Sequence, residues 1–186
     1  DFGLPMEAYP YDPAKARQLL KEAGYPNGLV ARDITPNPPF FSYAEGVLNF
    51  LSTVGIKVKM RTVERATFFT SWREKKLTNL ILGASGPPGN AATRLEAFAV
   101  TGGSYTYGGY PEIDALFQQQ AHERDRPKRQ ALLHEIQRLL YDKTAYLPLF
   151  EPASLCASGA RVAASQLGAI PQFAYAGPYE DIQLKT

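Results

Sequence analysis

The sequence has 186 residues, of which 45% are hydrophobic and 20% charged, values typical of one globular domain with a sizeable core. Its 20 lysines and arginines nearly balance its 18 aspartates and glutamates, so neither nucleic acid nor an anionic membrane is an expected partner. The longest apolar runs, 80–84 and 146–150, are far shorter than the roughly 18 to 20 residues that span a bilayer. Cys156 is the single cysteine, which excludes a disulfide within the chain and a metal site built from cysteines.

The first half of the sequence alternates between helix and strand patterns. Asp12 is placed to cap a helix over residues 12–23, Pro13 suits its first position, and Gly24 ends it. The segments that follow are predicted from helical spacing, from strand alternation and, for the last, from a short run typical of a buried strand. They are strand 29–35, helix 43–54, strand 56–63, helix 66–75 and strand 80–82. This order predicts an α/β sheet.

The second half is predicted to be helical before it becomes irregular. A short helix near 91–100 precedes segment 101–110, whose four glycines and three tyrosines indicate a loop that faces a ligand or partner. Helices are predicted at 111–123 and 127–141, each with a proline in its first turn. Strands are predicted at 146–150 and 155–158, followed by a last extended piece at 179–184.

Several short motifs follow one another in a characteristic order. They are YDPAKA at 11–16 with AGYP at 23–26, GIKV at 55–58, YPEIDAL at 110–116 and YLPLF at 146–150. Together, over about residues 8–184, they resemble the C-terminal lobe of the family 5 extracellular solute-binding proteins, the oligopeptide-, dipeptide- and nickel-binding group of ABC importers.

The resemblance implies an α/β fold in which a mixed sheet is flanked by helices, one lobe of a type II periplasmic-binding-protein-like architecture. Residues 1–186 are then expected to form a single C-terminal ligand-binding lobe and to be a fragment of a longer bacterial protein whose export signal lies outside this sequence. Residues 1–142 are its α/β core. Strands and a tail at 143–186 return toward an N-terminal lobe that the sequence lacks.

The resemblance also implies a function in transport. Such a protein is the periplasmic, or otherwise extracytoplasmic, substrate-binding component of an ABC importer, and captures a peptide-like or other medium-sized solute between its two lobes. Its expected partners are that solute, its own N-terminal lobe and an ABC permease in the membrane. The alternative hypothesis is a ligand sensor or protein-interaction module that keeps the binding-protein fold.

The first candidate site is the loop after strand 80–82, which reaches the cleft in the family. It often carries a tryptophan and an aspartate there, but GASGPPGN at 83–90 has neither. A ligand ammonium group would therefore lack its usual counter-ion, which weakens the standard peptide interpretation. Small residues leave room for a bulkier solute, and the alternative is an ordinary tight loop. The predicted ligand-binding residues here are Ser85, Gly86, Pro87, Pro88 and Asn90.

The second candidate site lies in and before the glycine-rich loop. Tyr105, Thr106 and Tyr107 occupy a cleft-proximal position by the resemblance, and a tyrosine offers a flat apolar face with a polar tip. Arg94 is a candidate for holding an anion, against the alternative of a solvated arginine. The alternative for the tyrosines is packing beneath their own loop. Phe40 and Phe41 are candidates for a cleft wall, a lobe interface or the core.

Nothing in the sequence predicts catalysis, a cofactor or a metal. His122 and His134 are twelve residues apart on predicted helices, a spacing that forms no ligand pair on one helical turn, so both are expected at the surface. Cys156, predicted to lie on an apolar strand, has no activating neighbour in the pattern. The sequence contains no GxSxG, phosphate-loop or GxGxxG motif, which leaves a small α/β hydrolase as the weakest hypothesis.

Overall fold

A computed structural model describes residues 3–85, 91–151, 153, 155–170 and 176–185. These residues fall into two compact units, one formed by residues 5–85 and the other by residues 3–4 with the described residues from 91 to 185. Each unit is described by itself. The prediction of a single lobe, with a division after residue 142, remains a prediction.

The first unit is a parallel sheet with helical crossovers. Its central strand, β1, pairs with β2 on one side and with β3 on the other, both in parallel. A parallel pair requires a crossover connection, and helices supply it. In chain order the elements are α1 (Pro13–Glu22), β1 (Leu29–Pro36), α2 (Phe41–Thr53), β2 (Ile56–Met60), α3 (Arg65–Arg73) and β3 (Leu80–Leu82).

Local signals in the sequence set the boundaries of these elements. The carboxylate of Asp12 accepts a hydrogen bond from the backbone N–H of Lys15 at 2.8 Å, which caps α1, and Gly24 follows the helix with φ +91°. Gly28 (φ +79°) precedes β1, and a Cβ there would lie 2.1 Å from the carbonyl oxygen of Gly55, so only glycine allows this approach. The buried apolar residues of the unit are Ile34, Ala44, Phe68, Trp72 and Leu77.

The second unit contains three helices and a small antiparallel pair of strands. Its core is formed by Ala99, Ile113 and Ile136, around which α5 and α6 pack. Asp125 caps α6 by accepting a hydrogen bond from the N–H of Lys128 at 2.9 Å. The elements are α4 (Ala91–Phe98), α5 (Pro111–His122), α6 (Arg126–Asp142), β4 (Val162–Ala164), a 3-10 turn (Tyr179–Asp181) and β5 (Gln183–Leu184), which pairs with β4.

The structure confirms the α/β class, all six predicted helices and the three strands of the sheet, within a few residues at their ends. The predicted loop at 101–110 contains no helix or strand. The last predicted extended piece is confirmed only at β5, since a 3-10 turn precedes it. Strand β3 was predicted to be buried, but it lies at an edge of the sheet, where Leu80 is 37% exposed.

The prediction of strands at 146–150 and 155–158 is wrong. Neither segment forms a strand, because no neighbouring strand pairs with it, and Leu147 and Leu155 are 65% and 95% exposed. The expectation for Cys156 is corrected too, since this residue is exposed and lies outside any strand. His122 is exposed as expected, whereas Nε2 of His134 is buried.

Within the described ranges, no helix combines the length and apolar character needed to cross a membrane. The same residues contain no cluster of three or more histidine, cysteine, aspartate and glutamate side chains able to hold a metal ion.

Candidate functional site

The first candidate site is the carboxyl end of the parallel sheet. The chain passes from β1 to β2 on one side and then crosses to β3 on the other, so the strand order reverses between β1 and β3. Open α/β sheets bind ligands in the crevice outside the carboxyl ends of the strands, where such a reversal occurs. The N–H of Asn37, the residue after β1, donates to the carbonyl oxygen of Leu82 at 2.8 Å and holds the two strand ends together.

The first residue of the predicted loop contacts a buried tryptophan. A Cβ at Gly83 would lie 2.5 Å from the Trp72 ring, so glycine is required where the chain leaves β3. Trp72 comes from α3, is 6% exposed and packs edge-on against Phe68 at 5.3 Å. Ser85 is exposed, as a ligand-binding residue must be. The other predicted residues of this loop, Gly86, Pro87, Pro88 and Asn90, lie outside the described residues.

Two polar side chains at the end of β1 were missed by the sequence reasoning. Thr35 and Asn37 are buried, and neither Oγ1 of Thr35 nor Oδ1 of Asn37 has a hydrogen-bond partner among the described residues. A buried polar atom without a partner costs about 1–3 kcal/mol, so retaining two of them within three residues of the chain needs an explanation. The only signal in the sequence was the cluster of prolines at 36–39 that surrounds Asn37.

The aromatic residues near this edge pack within the same unit. Phe40 and Phe41, candidates for a cleft wall, are both half-buried. The Phe40 ring stacks on Tyr43 with 5.6 Å between ring centroids. The guanidinium of Arg65 donates to the carbonyl oxygen of Pro38 at 2.9 Å. The prolines after β1 are thereby fixed to α3.

The second candidate site, in the other unit, is arranged around Phe98 at the end of α4. The Tyr105 ring lies over Phe98 with 4.9 Å between centroids, and the guanidinium carbon of Arg94 lies 5.1 Å from the same ring. Tyr146 meets Phe98 edge-on, and its hydroxyl donates to the Phe98 carbonyl oxygen. Burial, followed by the charge of Tyr110, raises the pKa of the Tyr146 phenol.

Hydrogen bonds fix the glycine-rich loop against the helices. The N–H of Tyr105 and the hydroxyl of Thr106 both donate to the carbonyl oxygen of Ala97, at 2.8 Å and 3.3 Å. At the start of the loop, the N–H and the hydroxyl of Thr101 donate to the Asp114 carboxylate at 2.8 Å and 2.5 Å. These hydrogen bonds hold the loop in a defined conformation against α4 and α5.

The three predicted residues of this loop have different environments. Thr106 is only 7% exposed, and Tyr105 is half-buried with its ring on Phe98. Tyr107 is 43% exposed. It borders a cavity of about 60 Å³ lined by Phe98, Ala99, Thr106, Tyr107, Gly109, Tyr110, Leu140, Ala145 and Tyr146.

Comparison with known proteins places the chain in a family. A family model described as "Bacterial extracellular solute-binding proteins, family 5 Middle" matches residues 2–106, more than half of the chain. The chain belongs to this family. The resemblance noted in the sequence motifs is confirmed, and the family 5 match includes the sheet and the loop residues as far as Thr106.

Individual relatives of this family 5 chain are longer than it is. Heme-binding protein A of Haemophilus influenzae is 31% identical over 159 residues, which cover 77% of this chain and 28% of that protein. Glutathione-binding protein GsiB of Pectobacterium atrosepticum is 29% identical over 164 residues, covering 74% and 29% respectively. The family 5 chain thus spans less than a third of the length of these relatives.

Solved structures share the fold. A periplasmic oligopeptide-binding protein from Borrelia burgdorferi is 25% identical with a TM-score of 0.67, over 76% of this chain and 30% of its own. The substrate-binding protein CtaP of Listeria monocytogenes has a TM-score of 0.68 at 18% identity, over 77% and 31%. The periplasmic-binding-protein-like architecture expected from the motifs is confirmed.

Proposed function

We propose that this chain is part of a bacterial substrate-binding protein that captures a small solute outside the cytoplasm and delivers it to an ABC importer. The observation that carries the proposal is the carboxyl end of the parallel sheet, where the strand order reverses and two buried oxygens, of Thr35 and Asn37, are unpaired in a family 5 chain. A solute that donates hydrogen bonds to this edge would satisfy them.

The proposed solute is peptide-like or otherwise of medium size. Relatives are named for binding heme, glutathione and dipeptides, and all three are larger than a single amino acid. The loop at 83–90 contains no carboxylate to pair with a free ammonium group. We therefore favour a solute recognised by backbone and amide groups over one held by its amino terminus.

The proposed ligand-binding residues include described residues of both units. In the first unit they are Ser85 and, newly, Asn37. Gly86, Pro87, Pro88 and Asn90, also proposed, lie outside the described residues. In the second unit the proposed residues are Arg94, Tyr105, Thr106 and Tyr107, of which Tyr107 presents the most accessible ring. The proposed partners are an N-terminal lobe and an ABC permease, the proposed location is the periplasm, and the proposed role is non-catalytic, with no cofactor and no nucleic acid.

Thermal unfolding of the full-length protein tests this function. Glutathione, a mixture of dipeptides and heme are added separately, and one class should raise the Tm, since a ligand at 100 times its Kd stabilises the native state by about 2.7 kcal/mol. A shared failure of all three, together with no solute retained through purification, would overturn the proposal.

Asn37→Leu separates binding from folding. It removes an unpaired buried oxygen, so the free energy of unfolding without solute should stay the same or rise, while stabilisation by the solute should fall. Asn49→Leu, at an exposed position of α2, is the matched control and should change neither quantity. Full stabilisation of Asn37→Leu by the solute would exclude this edge as the site.

A further inference from the structure

Arg94 has an unusual environment for an arginine near the surface. It is the fourth residue of α4, half-buried, with its guanidinium held 5.1 Å from the centre of the Phe98 ring. Its Nε is buried and has no acceptor. Among the described residues, none forms a hydrogen bond or an ion pair with this guanidinium.

Another arginine of the same unit shows what a satisfied side chain looks like. Arg129, also half-buried, donates from Nε to the amide oxygen of Gln120 at 3.1 Å. An exposed guanidinium satisfies its donors with water, but a buried N–H of a cation cannot, and leaving it unpaired costs more than for a neutral group. Arg94 therefore differs from a simply solvated arginine, the alternative considered for it in the sequence analysis.

The surroundings of Arg94 restrict what can satisfy it. A guanidinium carries only donors, arranged in a planar fork that matches the two oxygens of a carboxylate or phosphate. The contact with Phe98, which Tyr105 covers as well, limits the movement of the guanidinium and so lowers the entropy lost on binding. The complementary group is an oxyanion.

We propose that Arg94 binds an anionic group of the solute, a carboxylate or a phosphate, with Phe98 as the platform that orients the guanidinium. The proposal rests on the solute-binding function argued above and assigns the solute to the acidic class. It gives this half-buried arginine a binding role that the comparisons assign to no residue.

Arginine Nε–H resonances of the isotopically labelled 186-residue chain provide the test. Sodium acetate and inorganic phosphate are titrated separately at constant ionic strength, with chloride as the balancing anion. The Arg94 Nε–H resonance should shift and saturate with at least one of them. Arg124, exposed in the same unit, is the internal control and should show only a small, linear shift.

Two variants exclude a nonspecific effect. Arg94→Gln should weaken anion binding by about tenfold or more, read from the backbone amides of α4, because the variant loses a charge-assisted hydrogen-bond donor. Arg124→Gln should bind as the unmodified chain does. Preserved dispersion in the spectrum of Arg94→Gln shows that it remains folded.

A linear response at Arg94 that matches Arg124, or saturation that persists in Arg94→Gln, would overturn the assignment. These outcomes do not depend on whether any solute stabilises the full-length protein. A failure of the anion site is therefore distinguishable from a failure of the proposed transport function.

Discussion

Strand β1 and segment 146–150 were both predicted to be strands but have different structures. β1 is hydrogen-bonded to β2 on one side and to β3 on the other, and its last residues are buried. Segment 146–150 has no such neighbour, forms no strand and leaves Leu147, Leu149 and Phe150 more than half exposed. The difference shows that an apolar pattern makes a segment competent to be a strand, whereas pairing makes it one.

The largest difference in the free energy of unfolding is expected from removing one aromatic ring beside the sheet and one in segment 146–150. Phe68→Ala should lower the free energy of unfolding by about 3–5 kcal/mol, because Phe68 is fully buried beside the sheet. Phe150→Ala should change it by no more than about 0.5 kcal/mol, since that ring is 55% exposed. Urea unfolding followed by circular dichroism measures both. Equal losses would break the comparison, and Phe68→Leu provides a milder variant if Phe68→Ala does not fold.

A pair of glycines gives the next largest effect. Gly28→Ala should destabilise the chain by about 2 kcal/mol or more, because it adds a Cβ against the Gly55 backbone at a positive φ. Gly159→Ala is the control, since a Cβ at that position meets no atom within 4 Å. Thermal unfolding of the two variants should therefore give a lower Tm for Gly28→Ala alone. A similar loss at Gly159 would show that its segment is more constrained than the structure indicates.

The smallest effect concerns the point where the chain leaves α6 for the irregular region. Lys143 forms an ion pair with Glu112 at 2.7 Å, and this hydrogen bond lowers the pKa of the Glu112 carboxyl and raises the pKa of Lys143. A lowered carboxyl pKa adds stability above the pKa of the unfolded chain, and that stability is lost as the pH falls through the folded value. In Lys143→Met, an NMR titration should show the pKa of the Glu112 carboxyl rising toward its usual value. An unchanged pKa would exclude the ion pair as the cause of the lowered value.

The features of the fold that are set by a few consecutive residues could be predicted from the sequence. The cap at Asp12, the helix end at Gly24 and the alternation along β2 are all local, and the structure confirms each. The strand predictions at 146–150 and 155–158 failed because a strand also needs a partner, which an apolar run does not specify.

The candidate sites were predictable only in part, for the same reason. A tyrosine-bearing loop was recognisable from composition, but the packing of Tyr105 depends on Phe98, which a different element supplies. The unpaired oxygens of Thr35 and Asn37 follow from burial by the rest of their unit, and no spacing in the sequence encodes it. Burial likewise distinguishes Arg94 from an ordinary surface arginine.

Mass spectrometry of small molecules released by denaturing the full-length protein from its native host tests the central claim most directly, with the 186-residue chain as control. We expect one solute, or a ladder of peptide masses, from the full-length protein, and little or nothing from the 186-residue chain alone, because the proposed N-terminal lobe would supply the rest of the binding surface. Repeated preparations of the full-length protein that release no solute would contradict solute capture.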